Sequence, residues 1–352
     1  MSASFNPPTI FIEKPPLTIF EVLRKIEREH IELNPDFQRN FVWDEQRQSR
    51  LIESVLLKIP LPTFYLDATD GARWQVVDGL QRLSTLQAFC KTQTLQLSGL
   101  EFLTDLNGAR FEQLSSTMQR TIEDTPLTLI TVQPGTPRDV KFMIFQRINT
   151  SGINLNNQEI RHAIFGNPAR DFLRDLAESE AFRVATNGLV DPRRMDDREC
   201  VLRFMTFRLN PYDSALESGN KTLTFEELLN QTVDDLNTST PIMRDQYAEE
   251  FRDSMGKAHR LFEDLAFRQI QEQLETGSFR KALFEVWSVL LNNYEDKLLQ
   301  QKQTKQAILT DAIALMTNNA AFLAAIQPGA DDRQSILTRF STVDALLRKL
   351  LT

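Results

Sequence analysis

The chain has 352 residues and a mass of 40.5 kDa, with 41% hydrophobic and 25% charged residues; this balance supports one large domain or two ordinary ones and excludes wholesale disorder, collagen-like chains and disulfide scaffolds. A net charge of -8 argues against chain-wide affinity for nucleic acid, whose phosphates need clustered Lys and Arg, but leaves room for a local basic cleft. Apolar runs such as Val286 to Leu291 fall far short of the roughly 18 residues of a membrane span, and no basic-then-apolar leader opens the chain, so a cytoplasmic protein without membrane contact is expected.

Strand signals, short runs rich in β-branched and aromatic residues, occur at Thr9 to Ile12, Thr63 to Leu66, Trp74 to Val77, Thr94 to Leu97 and Leu127 to Val132. Helical spacing lies between them. Leu17 to Glu29 repeats apolar residues at Ile19, Val22, Leu23 and Ile26, and Asp44 to Leu57 repeats them at Leu51, Ile52, Val55 and Leu56 behind an Asp44 cap. Strands alternating with helices make this half α+β or α/β.

After Thr136 the strand signals stop, and the rest reads as all-α, starting with a helix over Arg138 to Ile148 behind Pro137. Thr224 with Glu227 marks a capping box, and Ser278 is read as the cap of the apolar segment around Phe284. Tyr247, Phe251, Met255, Ala258, Phe262 and Leu265 form one helical stripe, and Ile336, Phe340, Val343, Leu347 and Leu350 form another, both assigned to bundle packing. Cys90 and Cys200 read as core residues, and His30, His162 and His259 are too scattered for local metal-ligand spacing.

Three stretches carry candidate chemistry. In Trp74 to Leu86 a strand, an Asp-Gly turn and a helix follow one another, so unpaired N–H groups and the positive end of the helix dipole meet at one point. Phosphate is the natural ligand there, with Arg82 as a bidentate donor, and Asp78 as the group that holds a divalent metal, accepts from a ribose hydroxyl or orients water. Ser84 and Thr85 lie off the apolar stripe of the helix. The plainer alternative has Asp78 capping the helix and Arg82 on the surface. In Asn34 to Trp43, Phe37, Phe41 and Trp43 share one side, so that either Gln38 and Arg39 project into a cleft or the segment is only a loop tied down by its aromatics. In Phe145 to Ile160 a helix ends in the polar turn Asn149 to Gly152 and another starts near Asn156 or Asn157, with Arg147 and Asn149 able to reach the same anion.

Other patterns return little. P-loop, dinucleotide, zinc-protease and hydrolase-elbow motifs are absent from the sequence. Asp124 with Asp139-Val140-Lys141 is read as a chance likeness to a metal-dependent nuclease. The pairs Asp196-Asp197, Asp234-Asp235 and Asp331-Asp332 are read as solvated turns or caps. Arg193, Arg194, Arg198, Arg203 and Arg208 form the densest basic stretch, expected to be an ion-paired helix surface rather than a DNA contact.

Taken together, PDFQRNFVW, IPLPTFYLD, WQVVDGLQRLSTL and FQRINTSGINLNNQEIRHAIFG resemble, in that order over about residues 8 to 166, the GmrSD-type N-terminal domain family, whose hallmark is a DGQQR motif. The resemblance implies an α+β, ParB- and sulfiredoxin-like domain with a small mixed sheet over residues 1–165, followed by an all-α domain over 166–352. It implies binding of a nucleoside triphosphate, with hydrolysis and Mg2+ as candidate additions, in DNA metabolism or phage defence. The motif falls on Asp78, Gly79, Gln81 and Arg82, while Leu80 replaces its first glutamine. Asp78 and Gln81 are then the candidate catalytic pair, with Gly79, Arg82, Ser84, Thr85, Gln38, Arg39, Arg147 and Asn149 around the nucleotide. Paired histidines of an HNH nuclease are missing, so the alternative is a non-catalytic regulator that binds DNA or a partner nuclease. Nucleotide preference and oligomeric state stay open.

Overall fold

The computed structural model describes residues 10–33, 43–148, 156–218, 221–270, 276–299 and 301–351, and the chain divides into two units, Met1–Ile164 and Phe165–Thr352. The first is mixed α+β. Its strands β1 (Ile12–Glu13), β2 (Pro16–Thr18), β3 (Ile31–Glu32), β4 (Phe64–Asp70), β5 (Arg73–Asp78) and β6 (Pro126–Val132) form one sheet in the order β1-β6-β4-β5-β3, with β2 also paired to β6. β4 runs parallel to β6 and antiparallel to β5, and Tyr65 stands between Asp78 on one side and Ile130 on the other. That register puts Asp78 at the end of the sheet where β4 begins.

Alternation along the strands gives the sheet two different faces. Phe64, Leu66, Val76, Leu127 and Leu129 are buried against the helices α1 (Ile19–Glu27), α2 (Glu45–Leu56), α3 (Leu80–Cys90) and α4 (Ser116–Glu123). Asp44 caps α2 as expected, accepting the Arg47 N–H at 2.7 Å, and Thr18 and Glu21 close a capping box on α1. The opposite face meets α5 (Arg138–Ile148) and α6 (Asn157–Ile164), where Asp67 of β4 receives Lys141 Nζ at 3.0 Å and α6 packs on β5. Asn156 caps α6 and is answered by Glu159, a reciprocal pair at 2.8 and 2.6 Å.

Thr94 to Leu97 is not a strand. It belongs to an irregular crossing between α3 and α4 that is tied down from α2: buried Glu53 accepts the N–H groups of Glu101, Phe102 and Leu103 at 3.1, 2.7 and 2.8 Å. Burial alone would raise its pKa, but those N–H groups together with Arg50 outweigh burial and hold it below the usual 4.5.

Helices dominate the second unit, but it is not all-α. Glu217–Ser218 pairs with Lys221–Thr222, and Arg268–Ile270 with Thr276–Phe279, hairpins of two to four residues that are too short and too polar to leave a strand pattern in the sequence. Ser278 therefore lies in a strand, and the apolar helix begins at Lys281 with Arg280 at its cap position. Most of both expected stripes is buried: Phe251, Met255, Ala258 and Phe262 on α8 (Pro241–Phe262), and Ile336, Phe340, Val343 and Leu347 on α10 (Arg333–Leu351); Tyr247 and Leu350 are half-buried, and Leu265 lies past the end of α8 in a short 3-10 turn.

A buried ionic cluster joins these helices. Glu285 on α9 (Lys281–Leu291), 0% exposed, lies between Arg339 of α10 and Arg203 of α7 (Asp196–Leu209), the latter at 3.0 Å. Arg203 also meets Glu199 at 2.8 Å and Asp331 at 2.9 Å, and Lys281 meets Asp196 at 2.7 Å. Asp196 and Asp331 are thus cross-links rather than the solvated turns read from the sequence. Cys90 and Cys200 are buried, and burial, with Glu123 second, pushes the Cys90 thiol up to about 12.

Two substitutions test these ties. Glu53→Ala removes the shared acceptor of three part-buried N–H groups and should lower stability by about 1 to 3 kcal/mol in urea unfolding. Because the folded-state pKa of Glu53 lies below 4.5, its contribution is complete above that value and is lost as pH falls below it, so wild type and variant should converge in acid. Glu285→Gln removes the fully buried charge that Arg203 and Arg339 share, though Glu199 and Asp331 still face them, and should cost about 2 to 4 kcal/mol by the same measurement.

Candidate functional site

The chain must turn from strand to helix directly after Asp78, and the turn requires glycine twice over. Gly79 has φ 103°, a left-handed conformation, and an added Cβ would lie 2.4 Å from Phe64 Cδ1. Helix α3 then starts at Leu80 with no side-chain cap, so its first turn presents backbone donors and the positive dipole end without a protein oxygen supplied by the cap residue. Asp78 does not fill that role, which removes the plainer reading of it as a helix cap.

Arg82 is where the structure departs most from expectation. It is 8% exposed, and its guanidinium donates to Pro62 O, to Thr63 O at 3.2 Å and to Asp78 Oδ2 at 3.2 Å, while lying 4.3 Å over the Phe64 ring. It is neither a surface residue nor an open bidentate phosphate donor; it ties the loop before β4 to the end of β5. Asp78 keeps 29% of its side chain exposed. Burial raises its pKa above 3.8, against the opposing pull of Arg82 and the Gly79 N–H.

Gln81 faces the start of α2. Its Oε1 accepts the Trp43 N–H at 3.4 Å, and Gln48 Nε2 donates to the Trp43 carbonyl at 2.9 Å. The aromatic segment therefore does approach the Asp-Gly junction at its last residue. Gln38, Arg39 and Asn149 lie outside the described residues. Thr85 is buried and donates to Gln81 O at 2.7 Å, so its hydroxyl serves the helix; Ser84 is half-buried on the same helix. Arg147 is exposed in the last turn of α5, and among the described residues no hydrogen bond or ion pair joins it to the junction. Leu80, at the departure from the DGQQR pattern, packs on the core.

Two features near the junction were not legible. Lys141, which the sequence grouped with Asp139, instead spans to Asp67 and to Thr69 Oγ1, both at 3.0 Å. The helix expected from Asn156 or Asn157 is α6, but the burial of its Gln158, Glu159, Arg161 and His162 was not signalled by their polar letters. Among the described residues, no group of three or more His, Cys, Asp and Glu is placed to hold a metal. The basic stretch of the second unit is largely ion-paired: Arg193 with Asp191, Arg203 as above, and Arg208 with Glu250.

With this geometry in hand, comparison with known families gives one result. Residues 19–166 match the family model described as GmrSD restriction endonuclease, N-terminal domain, a span that holds every strand from β3 to β6, helices α1 to α6 and the Asp78 junction. No curated protein matches the chain. No helix is long and apolar enough to cross a membrane, among the described residues.

Gly79→Ala should cost about 2 to 4 kcal/mol, from the left-handed backbone and the overlap with Phe64, and Phe64→Leu in the same chain should recover part of it. Arg82→Ala should also lower the thermal midpoint, by about 2 to 4 kcal/mol in stability, since two carbonyls and a carboxylate lose their donor. An unchanged midpoint would show that the guanidinium is dispensable to the fold.

Proposed function

We propose, with a GmrSD-type N-terminal domain at residues 19–166 as the premise, that the Asp78–Gly79 junction binds the phosphates of a nucleoside triphosphate and that the protein acts in a restriction-type or phage-defence role. The observation that carries the reading is the uncapped start of α3 behind a glycine that no other residue could replace without clash. Gly79 supplies the left-handed turn that aims the helix start, with the Phe64 ring packed where a Cβ would stand, and the N–H groups of the first helical turn hold the anion. Arg82 is a positioning residue, fixing the carboxylate of Asp78 and the Pro62–Thr63 carbonyls.

Asp78 is the acid at the junction. Mg2+ is commonly held by one or two carboxylates plus the substrate's phosphates, and a single, partly exposed carboxylate fits that use, with the ion arriving on the nucleotide. When bound, Mg2+ would offset charge on the phosphates. Asp78 itself would orient an attacking water through the oxygen that Arg82 leaves accessible, and its raised pKa makes it a stronger proton acceptor than an ordinary aspartate. Gln81 sets the approach of Trp43 to the same turn.

One observation favours a second reading, a regulator that binds nucleotide or DNA without turnover and depends on a partner nuclease. Arg82 is committed to protein groups, so the junction offers less charge to a transition state than phosphoryl transfer usually draws on. Phosphate release measured with several nucleotides, with and without DNA, separates the two.

Asp78→Asn keeps size and hydrogen bonding but removes the charge, so turnover should fall at least tenfold while nucleotide affinity holds or tightens. Wild-type turnover in a folded variant would remove Asp78 from the chemistry. Since ionised Asp78 is required and its pKa is raised, hydrolysis should decline on acidification at a higher pH than an ordinary aspartate would give, which a pH–rate profile reads directly.

A further inference from the structure

A cleft of about 710 Å³ opens in the first unit between the loop after α2 and helix α4, within the size range of small-molecule sites. Lys58 stands on one wall and Arg120 on the other; both are exposed, and among the described residues neither is paired with a carboxylate. Arg120 Nε donates to Ser116 O at 3.2 Å, which leaves the rest of the guanidinium uncommitted among the described residues, and two cations facing one cleft concentrate positive potential there. Ile59, half exposed, and Leu61 supply apolar wall, Thr128 a hydroxyl, and Asp124 the cleft's acid.

Lys58 is held there against its own preference. It has φ 58° at the left-handed position that ends α2, in a motif closed by Lys58 N–H to Val55 O at 3.0 Å and Ile59 N–H to Ser54 O at 2.8 Å. Glycine is the residue that conformation favours. A lysine kept at that place sets a cation at the cleft at some cost to the fold.

We propose that this cleft is a second ligand site of the first unit, distinct from the Asp78 junction, and that it takes an organic phosphate monoester. A phosphate monoester carries close to two negative charges at neutral pH, which matches two cations on opposite walls, and its organic part would lie on Ile59 and Leu61 with a hydroxyl or amine toward Asp124. The site also bears on the first one. Pro60 and Leu61 line the cleft, and the next two residues, Pro62 and Thr63, are the carbonyl acceptors of Arg82.

Calorimetric titration of the full chain with adenosine monophosphate tests this, with adenosine and inorganic phosphate as controls. Saturable binding of the monophosphate, stronger than either control, is expected. Lys58→Gly and Arg120→Gln, both remote in sequence from the Asp78 junction, should each weaken it about tenfold or more. Lys58→Gly should also keep or raise the thermal midpoint, because glycine suits the backbone there. No saturable binding by the wild type, or affinity unchanged in both cleft variants, overturns the proposal.

Discussion

Arg82 holds together the part of the molecule on which any chemistry must depend. A strand end, a helix start and the entry to β4 all carry backbone groups that secondary structure alone leaves unsatisfied, and one guanidinium collects them. The fork shape matters, because donors in a fixed plane can span two successive carbonyls and a carboxylate while the plane lies on Phe64. Phe64 in turn presses on Gly79, so the aromatic ring, the glycine and the arginine form one packed unit. Position of Asp78 follows from that unit rather than from its own contacts.

Much of this was legible and some was not, for physical reasons. Strand β5, the Asp-Gly turn and helix α3 could be read from alternation followed by a helical stripe. Glycine's necessity at position 79 was readable as backbone freedom, but its contact with Phe64 was not, since nothing local links residues 15 positions apart. The fate of Arg82 was misjudged because a charged residue off the apolar stripe reads as solvent-facing, whereas here carbonyls at the head of β4 accept it. Asp67 with Lys141 escaped for the same reason: each looks like a surface residue until the sheet and α5 are brought face to face. Long stripes such as those on α8 and α10 were read correctly because many apolar contacts fix them redundantly. The two short hairpins of the second unit had no pattern to read.

The two units weight the satisfaction of buried polarity differently. In the first, beside the Lys141–Asp67 pair, single charges serve backbone: Glu53 gathers three N–H groups, and Arg82 gathers carbonyls. In the second, charges satisfy one another, with Glu285 shared by two arginines and Asp331 and Glu199 completing the set. Glu199 shows the balance: burial would lift its pKa, but Arg203 and Lys281 hold it down to about 2. A slipped helix would leave one of these charges stranded, so the cluster penalises other registers.

Strand β6 lies at the centre of the sheet, between β4 and the β1–β2 edge, yet it is the last of the six to be synthesised. During translation β4 and β5 can pair as a hairpin, but the edge of β4 stays open until more than fifty further residues have emerged and β6 arrives. Strands β1 and β2 pair with β6 and so wait for that moment, whereas β3 can already join β5. Emergence of Val132 from the ribosome is therefore the event that converts a set of separate elements into a closed unit, and a nascent chain stalled short of it would present an unpaired edge to chaperones or to its neighbours on the same message.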